Sequence, residues 1–403
     1  MGIHILVVSH AWYGDVTGGA FRLASEFAEH LAEAGHRVSF VCCARSCDAS
    51  DAAVETIRGV NVYRYWPERK RRNGLSRMRF HVRQTKALVQ MILATDAIDI
   101  VSGHSPLQML GALRAAGTAA ASTYTVHSPF DDEQASNSGG GLISWLAARV
   151  ARWVDGRIVA ACDRLQTDSA YTLRSMIQKH GVPAMAKGLV APGWVEGRQF
   201  HPAENRFELR RSLGDAWQAD LPIFFTLRRL ENRMGLETLV AASARLKQQG
   251  LQFRTLIGGG GPLRGALEQQ IRDSDVQDRV FLLGRLPEEQ LAKSYAAADC
   301  FVLPTKALEC FGLIVLEAFA CNTPVIASNV AAIPELAERQ GKEWMFEPGN
   351  ADELADRMRD VITGRLRTAI DLRSVAMEYD KPKILKRWEE LLLESKRPLT
   401  SDS

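Results

Sequence analysis

Short apolar, β-branched runs alternate with helix-length amphipathic segments along almost the whole chain. That alternation constrains the fold to parallel α/β sheets with crossover helices. In the first half IHILVVS, RVSFVCC, VNVYRY, IDIVSGH and ASTYTVH read as strands, and LASEFAEHLAEAG reads as the first crossover helix, ended by Gly35. In the second half the strands are PIFFTL, FRTLIG, RVFLLG, DCFVLP and TPVIAS. A chain of 403 residues with 46% hydrophobic content is long for a single core. Two doubly wound units are therefore expected. The aperiodic stretch APGWVEGRQFHPAEN, from about Ala191 to Asn205, is the expected linker. It divides the chain into domains 1–200 and 201–375.

Charged residues make up 24% and the formal net charge is +3, the balance of an ordinary enzyme rather than of a nucleic-acid coat. Cys42, Cys43, Cys47, Cys162, Cys300, Cys310 and Cys321 include several in apolar strand-like runs, which predicts buried free thiols in a reducing compartment. No zinc spacing surrounds Cys42, Cys43 and Cys47, so no metal is expected. MGIHILVVS runs straight into a strand without a basic leader, and no apolar run reaches about 18 residues. A cytoplasmic location is the expectation.

The most informative segment is LPTKALECFGLIVLEAFACNTPVIAS. A strand ends at Pro304, a short loop carries Glu309, and a helix begins near Gly312 with Glu317 inside the apolar run GLIVLEAFA. A charge there needs a polar partner, since an unpaired buried carboxylate is costly. A structural ion pair or a backbone cap would satisfy it. A ligand would too, because a helix start offers free N–H groups and a positive dipole end to a diphosphate. A carboxylate one turn on could then accept from ribose hydroxyls.

Glu309 and Glu317 together form an E-x7-E motif, and the chain resembles the family 4 retaining glycosyltransferases, glycosyl transferases group 1, whose fold is GT-B. Pro304 and Thr305 resemble the family's Pro-Ser pair, and EAFACNTPV stands where the family has EAxAxGxPV, with Asn322 in place of Gly. Ala331 and Ala332 stand where Gly-Gly is common. The resemblance implies two Rossmann-like domains facing each other across a cleft, with a terminal helix at about 376–395 packing back onto the first. It implies that Glu309 contacts the donor sugar, that the backbone of Phe311, Gly312 and Leu313 lines the sugar and diphosphate, and that Glu317 holds the ribose.

In LRRLENRMGLETL the family presents Arg and then Lys to the leaving diphosphate. Arg229 matches the first. The Lys falls on Met234, which leaves Arg233, or Arg228, for the second cation. Gly18 and Gly19 precede the first helix and would let backbone approach donor and acceptor. His127 ends its strand at the family's T-x-H position, near the reacting centre, and His10 and His104 also end strands. GGGGPLRGALEQQ resembles the family's G-x-G-P turn and fits a dinucleotide fingerprint poorly. Between Arg69 and Lys86 lie eight Lys or Arg and no acid, leading into an amphipathic helix with Leu75, Met78, Val82, Thr85, Val89 and Ile92 on one face. This stretch reads as a solvated face, or as a contact for an anionic acceptor or acidic lipid headgroups at the cytoplasmic membrane.

The expectation is a retaining, metal-independent transfer from a nucleoside-diphosphate sugar, UDP- or GDP-linked, to an acceptor hydroxyl in glycan, polysaccharide or glycolipid biosynthesis, with no nucleic-acid partner. His127, Glu309, Arg229 and Arg233 are the catalytic candidates; the acceptor stays open between lipid-linked glycans, small metabolites and proteins, an anionic or lipid-linked one being the class the basic stretch would suit. A non-catalytic sugar-nucleotide-binding subunit and a GT-B epimerase are the alternatives.

Overall fold

The computed structural model describes residues 2–16, 18–45, 54–67, 74–137, 141–218 and 220–395. The chain forms two compact units, one from Met1–Gly193 with Pro382–Ser403, the other from Trp194–Lys381.

The first unit holds β1 (His4–Val8), β2 (Arg37–Cys43), β3 (Glu55–Ile57), β4 (Val60–Tyr65), β5 (Ile100–Gly103), β6 (Ala121–Val126), β7 (Arg164–Thr167) and β8 (Gly188–Val190). Their order in the sheet is β3-β4-β2-β1-β5-β6-β7-β8, parallel throughout except for the β3–β4 pair. Helix Gly19–Glu33 crosses from β1 to β2 and stops where Gly35 takes a positive φ of 88°. The terminal helix Lys381–Glu394 packs on this unit, with Trp388 edge-on to Phe27 at 5.3 Å and its indole N–H donating to Pro192 O at 2.9 Å.

The second unit holds β9 (Ile223–Leu227), β10 (Arg254–Gly258), β11 (Val280–Gly284), β12 (Cys300–Leu303), β13 (Val325–Ser328) and β14 (Met345–Phe346), all parallel in the order β11-β10-β9-β12-β13-β14. Both faces of this sheet are covered, which is why its strands read as unbroken apolar runs. Ile223, Phe225, Phe301, Leu303, Val325 and Ala327 enter one core, while Phe224, Cys300, Val302 and Ile326 enter the other, as the two-residue strand period requires.

The basic helix runs over Gly74–Thr95 and buries Val82, Thr85, Val89 and Ile92. Leu75, assigned to that inner face from its spacing, is 53% exposed because it sits in the first turn, beyond the packed part of the helix. Residues 69–73 lie outside the described residues. The six described cysteines are free and buried. Among the described residues, no helix is long and apolar enough to cross a membrane.

Candidate active site

In the second unit the carboxyl ends of β9 and β12, neighbours in the sheet, bring two loops together. Arg228 follows β9, and one of its terminal nitrogens donates to Glu309 Oε2 at 2.7 Å and to Thr305 Oγ1 at 3.1 Å. Both partners of the ion pair are largely buried, at 9% and 18% exposure. Arg233 donates to the carbonyl of Leu308 at 2.9 Å, and Leu308 holds a left-handed φ of 56°. Such a conformation costs a non-glycine residue about 1 kcal/mol or more and persists only where the surroundings enforce it. The clamp from Arg233 therefore fixes the residue that aims Glu309.

Arg229 is the outward member of the trio, 64% exposed, with Glu231 at 3.3 Å. Burial, followed by repulsion from Arg228 and Arg229, lowers the pKa of Arg233. Three guanidiniums thus share two carboxylates, Glu231 and Glu309, leaving local positive charge. The Nε–H groups of Arg228 and Arg233 are buried without a hydrogen-bond acceptor. Met234, where the family has Lys, is 4% exposed and packs into the core with Leu236 and Leu239. Position 234 points away from the loops.

Two glycines permit this approach. A Cβ on Gly235, at φ 68°, would lie 1.8 Å from the carbonyl of Pro304. A Cβ on Gly259, at φ 123°, would lie 1.8 Å from the carbonyl of Arg228. The glycine run after β10 therefore supports the arginine loop, with Leu230 N–H donating to Gly260 O and Leu263 N–H to Leu230 O.

Helix Leu313–Ala320 starts at Gly312, whose φ of 94° is left-handed, and Phe311 beside it is buried. Its first turn leaves amides without intrahelical acceptors. Glu317 lies one turn in and accepts from the hydroxyl of fully buried Tyr295 at 2.8 Å. Burial, then the nearby Glu317 charge, raises the Tyr295 pKa well above its ordinary value. Glu317 thus has a protein partner of the kind its apolar setting demanded. Asn322 and Ala331, both standing where the family has Gly, take left-handed φ values of 55°.

In the first unit His127 follows β6, His104 follows β5 and Asp168 follows β7, so the three meet at one sheet edge. His127 Nδ1 lies 2.8 Å from Asp168 Oδ2 and its Nε2 lies 3.1 Å from His104 Nδ1. His104 Nε2 in turn lies 3.1 Å from Ser102 Oγ. A carboxylate can only accept, so Asp168 fixes a proton on His127 Nδ1; when His127 is neutral, His104 donates through Nδ1 and Ser102 donates to His104 Nε2. Burial, then His127, lowers the His104 pKa well below its ordinary value. Both rings stack with Trp388, at 6.1 and 6.5 Å. His10 lies in a second cluster, its Nδ1 3.4 Å from Gln108 Nε2, which donates to Tyr65 Oη at 2.7 Å. Tyr65 Oη lies 2.9 Å from Nδ1 of His81, whose pKa burial, His10 and Arg77 push down to about 4. Gly18 precedes helix Gly19–Glu33 in extended conformation, φ 165°, and a Cβ there would lie 3.1 Å from the Phe21 ring.

Sequence spacing left two partners unseen, Asp168 and Tyr295, and offered Arg228 only as an alternative to Arg233. Position at neighbouring strand ends is the signal that finds Asp168 and Arg228. Tyr295 lies in helix Glu288–Ala297, where nothing local distinguishes it from a core aromatic.

Comparison with known proteins gives these clusters a family. The description "Glycosyltransferase Family 4" matches residues 17–195, and "Glycosyl transferases group 1" matches residues 213–379. The fold is that of GT-B glycosyltransferases. Sucrose-phosphate synthase from Thermosynechococcus elongatus superposes with a TM-score of 0.81 at 22% identity, over 97% of this chain and 98% of that one. Anabaena Alr3699/HepE in complex with UDP and glucose superposes with a TM-score of 0.75 at 19% identity, over 97% and 100% of the two chains. The chain belongs to the family 4 glycosyltransferases, with the group 1 region forming most of its second unit. Among curated relatives, the GDP-mannose-dependent alpha-(1-6)-phosphatidylinositol monomannoside mannosyltransferase of Mycobacterium tuberculosis (strain ATCC 25618 / H37Rv) is 29% identical over 246 residues, 59% of this chain and 62% of that protein. The amylovoran biosynthesis glycosyltransferase AmsK of Erwinia amylovora is 35% identical over 155 residues, 37% of each chain. The matches thus span less than two thirds of these relatives.

Proposed function

We propose that this chain is a retaining glycosyltransferase that moves a sugar from a nucleoside-diphosphate sugar to an acceptor hydroxyl in glycan, polysaccharide or glycolipid biosynthesis. The observation that carries the reading is the arginine cluster beside Glu309, with two buried Nε–H groups that lack acceptors and a helix start within the same segment. A leaving diphosphate needs that surplus of positive charge. The domains responsible are residues 1–200 for the acceptor and 201–375 for the donor.

In the reaction the bond from the anomeric carbon to the diphosphate oxygen breaks, and its electron pair leaves with the diphosphate. The acceptor oxygen bonds to the same face of the sugar, and its proton passes to a diphosphate oxygen. Arg229 and Arg233 stabilise the departing charge. Arg228 holds Glu309 oriented so that it can accept from sugar hydroxyls, a contribution of positioning. Amides of Phe311, Gly312 and Leu313 receive the diphosphate and Glu317 the ribose; Gly18 and Gly19 are further donor-binding residues and His127 a further catalytic one. GDP-mannose is the leading donor, by likeness to the mycobacterial mannosyltransferase, with UDP-sugars next. The same likeness favours a lipid-linked, anionic acceptor, with basic segment 69–86 as one contact at the cytoplasmic membrane face.

The test incubates the purified protein with GDP-mannose, UDP-glucose or ADP-glucose and follows the anomeric signal by NMR. Product or slow hydrolysis with retained configuration supports the reading, and its loss in Arg233→Ala assigns it to this site. Inverted product would rule out the mechanism, and epimerised donor without acceptor would replace the activity.

A further inference from the structure

Helix Leu142–Ala161, between β6 and β7, carries exposed tryptophans among arginines on its outer face. Trp145 is 54% exposed, Leu146 49% and Trp153 58%. Arg149, Arg152 and Arg157 are exposed among them. At about 100° per residue these six side chains fall within an arc of about 140°, a single stripe along the helix. The helix's one acid, Asp155, is fully buried on the opposite side, bonded to the Tyr124 hydroxyl and the Phe130 amide at 2.8 Å each. The stripe therefore holds three positive charges and no negative one. By contrast, helix Arg264–Asp273 exposes Arg264, Arg272 and Asp273, with Glu268 half-exposed among them, in mixed sign, the pattern of an ordinary solvated face.

We infer that this stripe docks the protein on an anionic lipid surface. Tryptophan suits the headgroup layer, where an apolar ring meets lipid and its N–H stays wet. Arginine lays its stem along apolar surface and carries its guanidinium to lipid phosphate. Arg149 already spans both settings, its guanidinium carbon 5.0 Å from the centre of the Trp145 ring. A second copy of the chain is a poor occupant, because a two-fold contact through this stripe would set arginine against arginine. The inference uses neither the donor site nor segment 69–86, so it stands or falls independently of the proposed activity.

The test is sedimentation of the full chain with vesicles of phosphatidylcholine alone or mixed equally with phosphatidylglycerol. The wild type is expected to pellet with the anionic vesicles, less so at high salt. Trp145→Ser with Trp153→Ser, and separately Arg149→Glu with Arg157→Glu, should each weaken the partition by about tenfold or more. Arg272→Glu, in the second unit, should leave it unchanged, and circular dichroism should show all variants folded. No binding to anionic vesicles, or equal binding by the stripe variants, would overturn the inference. So would a wild-type dimer that the tryptophan variant converts to monomer, which would mark the stripe as a contact between copies.

Discussion

The two units carry their polar clusters in different chemical currencies. The second unit relies on guanidiniums and carboxylates, Arg228, Arg229 and Arg233 with Glu231 and Glu309. The first relies on imidazoles. Of the nine histidines only His201, an exposed residue, belongs to the second unit. The difference teaches that the second unit's cluster offers charge, whereas the relay Ser102, His104, His127 and Asp168 offers hydrogen bonds whose direction depends on which ring nitrogen carries a proton.

The sharpest way to separate the units is kinetic. Arg229→Ala or Arg233→Ala should lower kcat by about 10²–10³ with the shape of the pH profile unchanged. Asp168→Asn should instead alter that shape, because the amide no longer fixes the proton on His127 Nδ1. An unchanged profile in Asp168→Asn would make the relay purely structural. Gly259→Ala should destabilise the second unit by about 3 kcal/mol in denaturant titration, since its Cβ would overlap the carbonyl of Arg228.

Acid should act on the first unit. His81 has its pKa pushed from 6.5 to about 4, so the unfolded chain takes up a proton first as pH falls. Stability should therefore drop between pH 6.5 and about 4, by up to about 3 kcal/mol from this residue, and level off below, with buried His104 adding in the same direction. Hydrogen exchange resolved by unit checks this; equal acid loss in the second unit would break the contrast. The smallest effect is expected for Ala331→Gly, which relieves a left-handed alanine and should gain about 0.5–1 kcal/mol in a melt.

Much of the fold was legible because both sheets are covered and parallel apart from the β3–β4 pair, so most strands announce themselves as apolar runs. Glu309 and Glu317 were legible because a charge in an apolar helix, and another just before it, stand out locally. Their partners were not, because they are set by sheet order rather than by spacing. β12 lies beside β9, which brings Arg228 to Glu309, and β6 lies between β5 and β7, which brings His104 and Asp168 to His127. Met234 shows the reverse limit: aligned with a family lysine, it is a core residue, and only its burial reveals that the position faces inward.

The most direct test of the account is saturation-transfer NMR of the purified protein against UDP-, GDP- and ADP-sugars, repeated with Glu317→Ala. The account predicts selective binding to one nucleotide, weakened about tenfold or more in the variant through loss of hydrogen bonds to a charged group. Binding of equal strength in a folded Glu317→Ala protein, or no binding of any sugar nucleotide by the wild type, would contradict it.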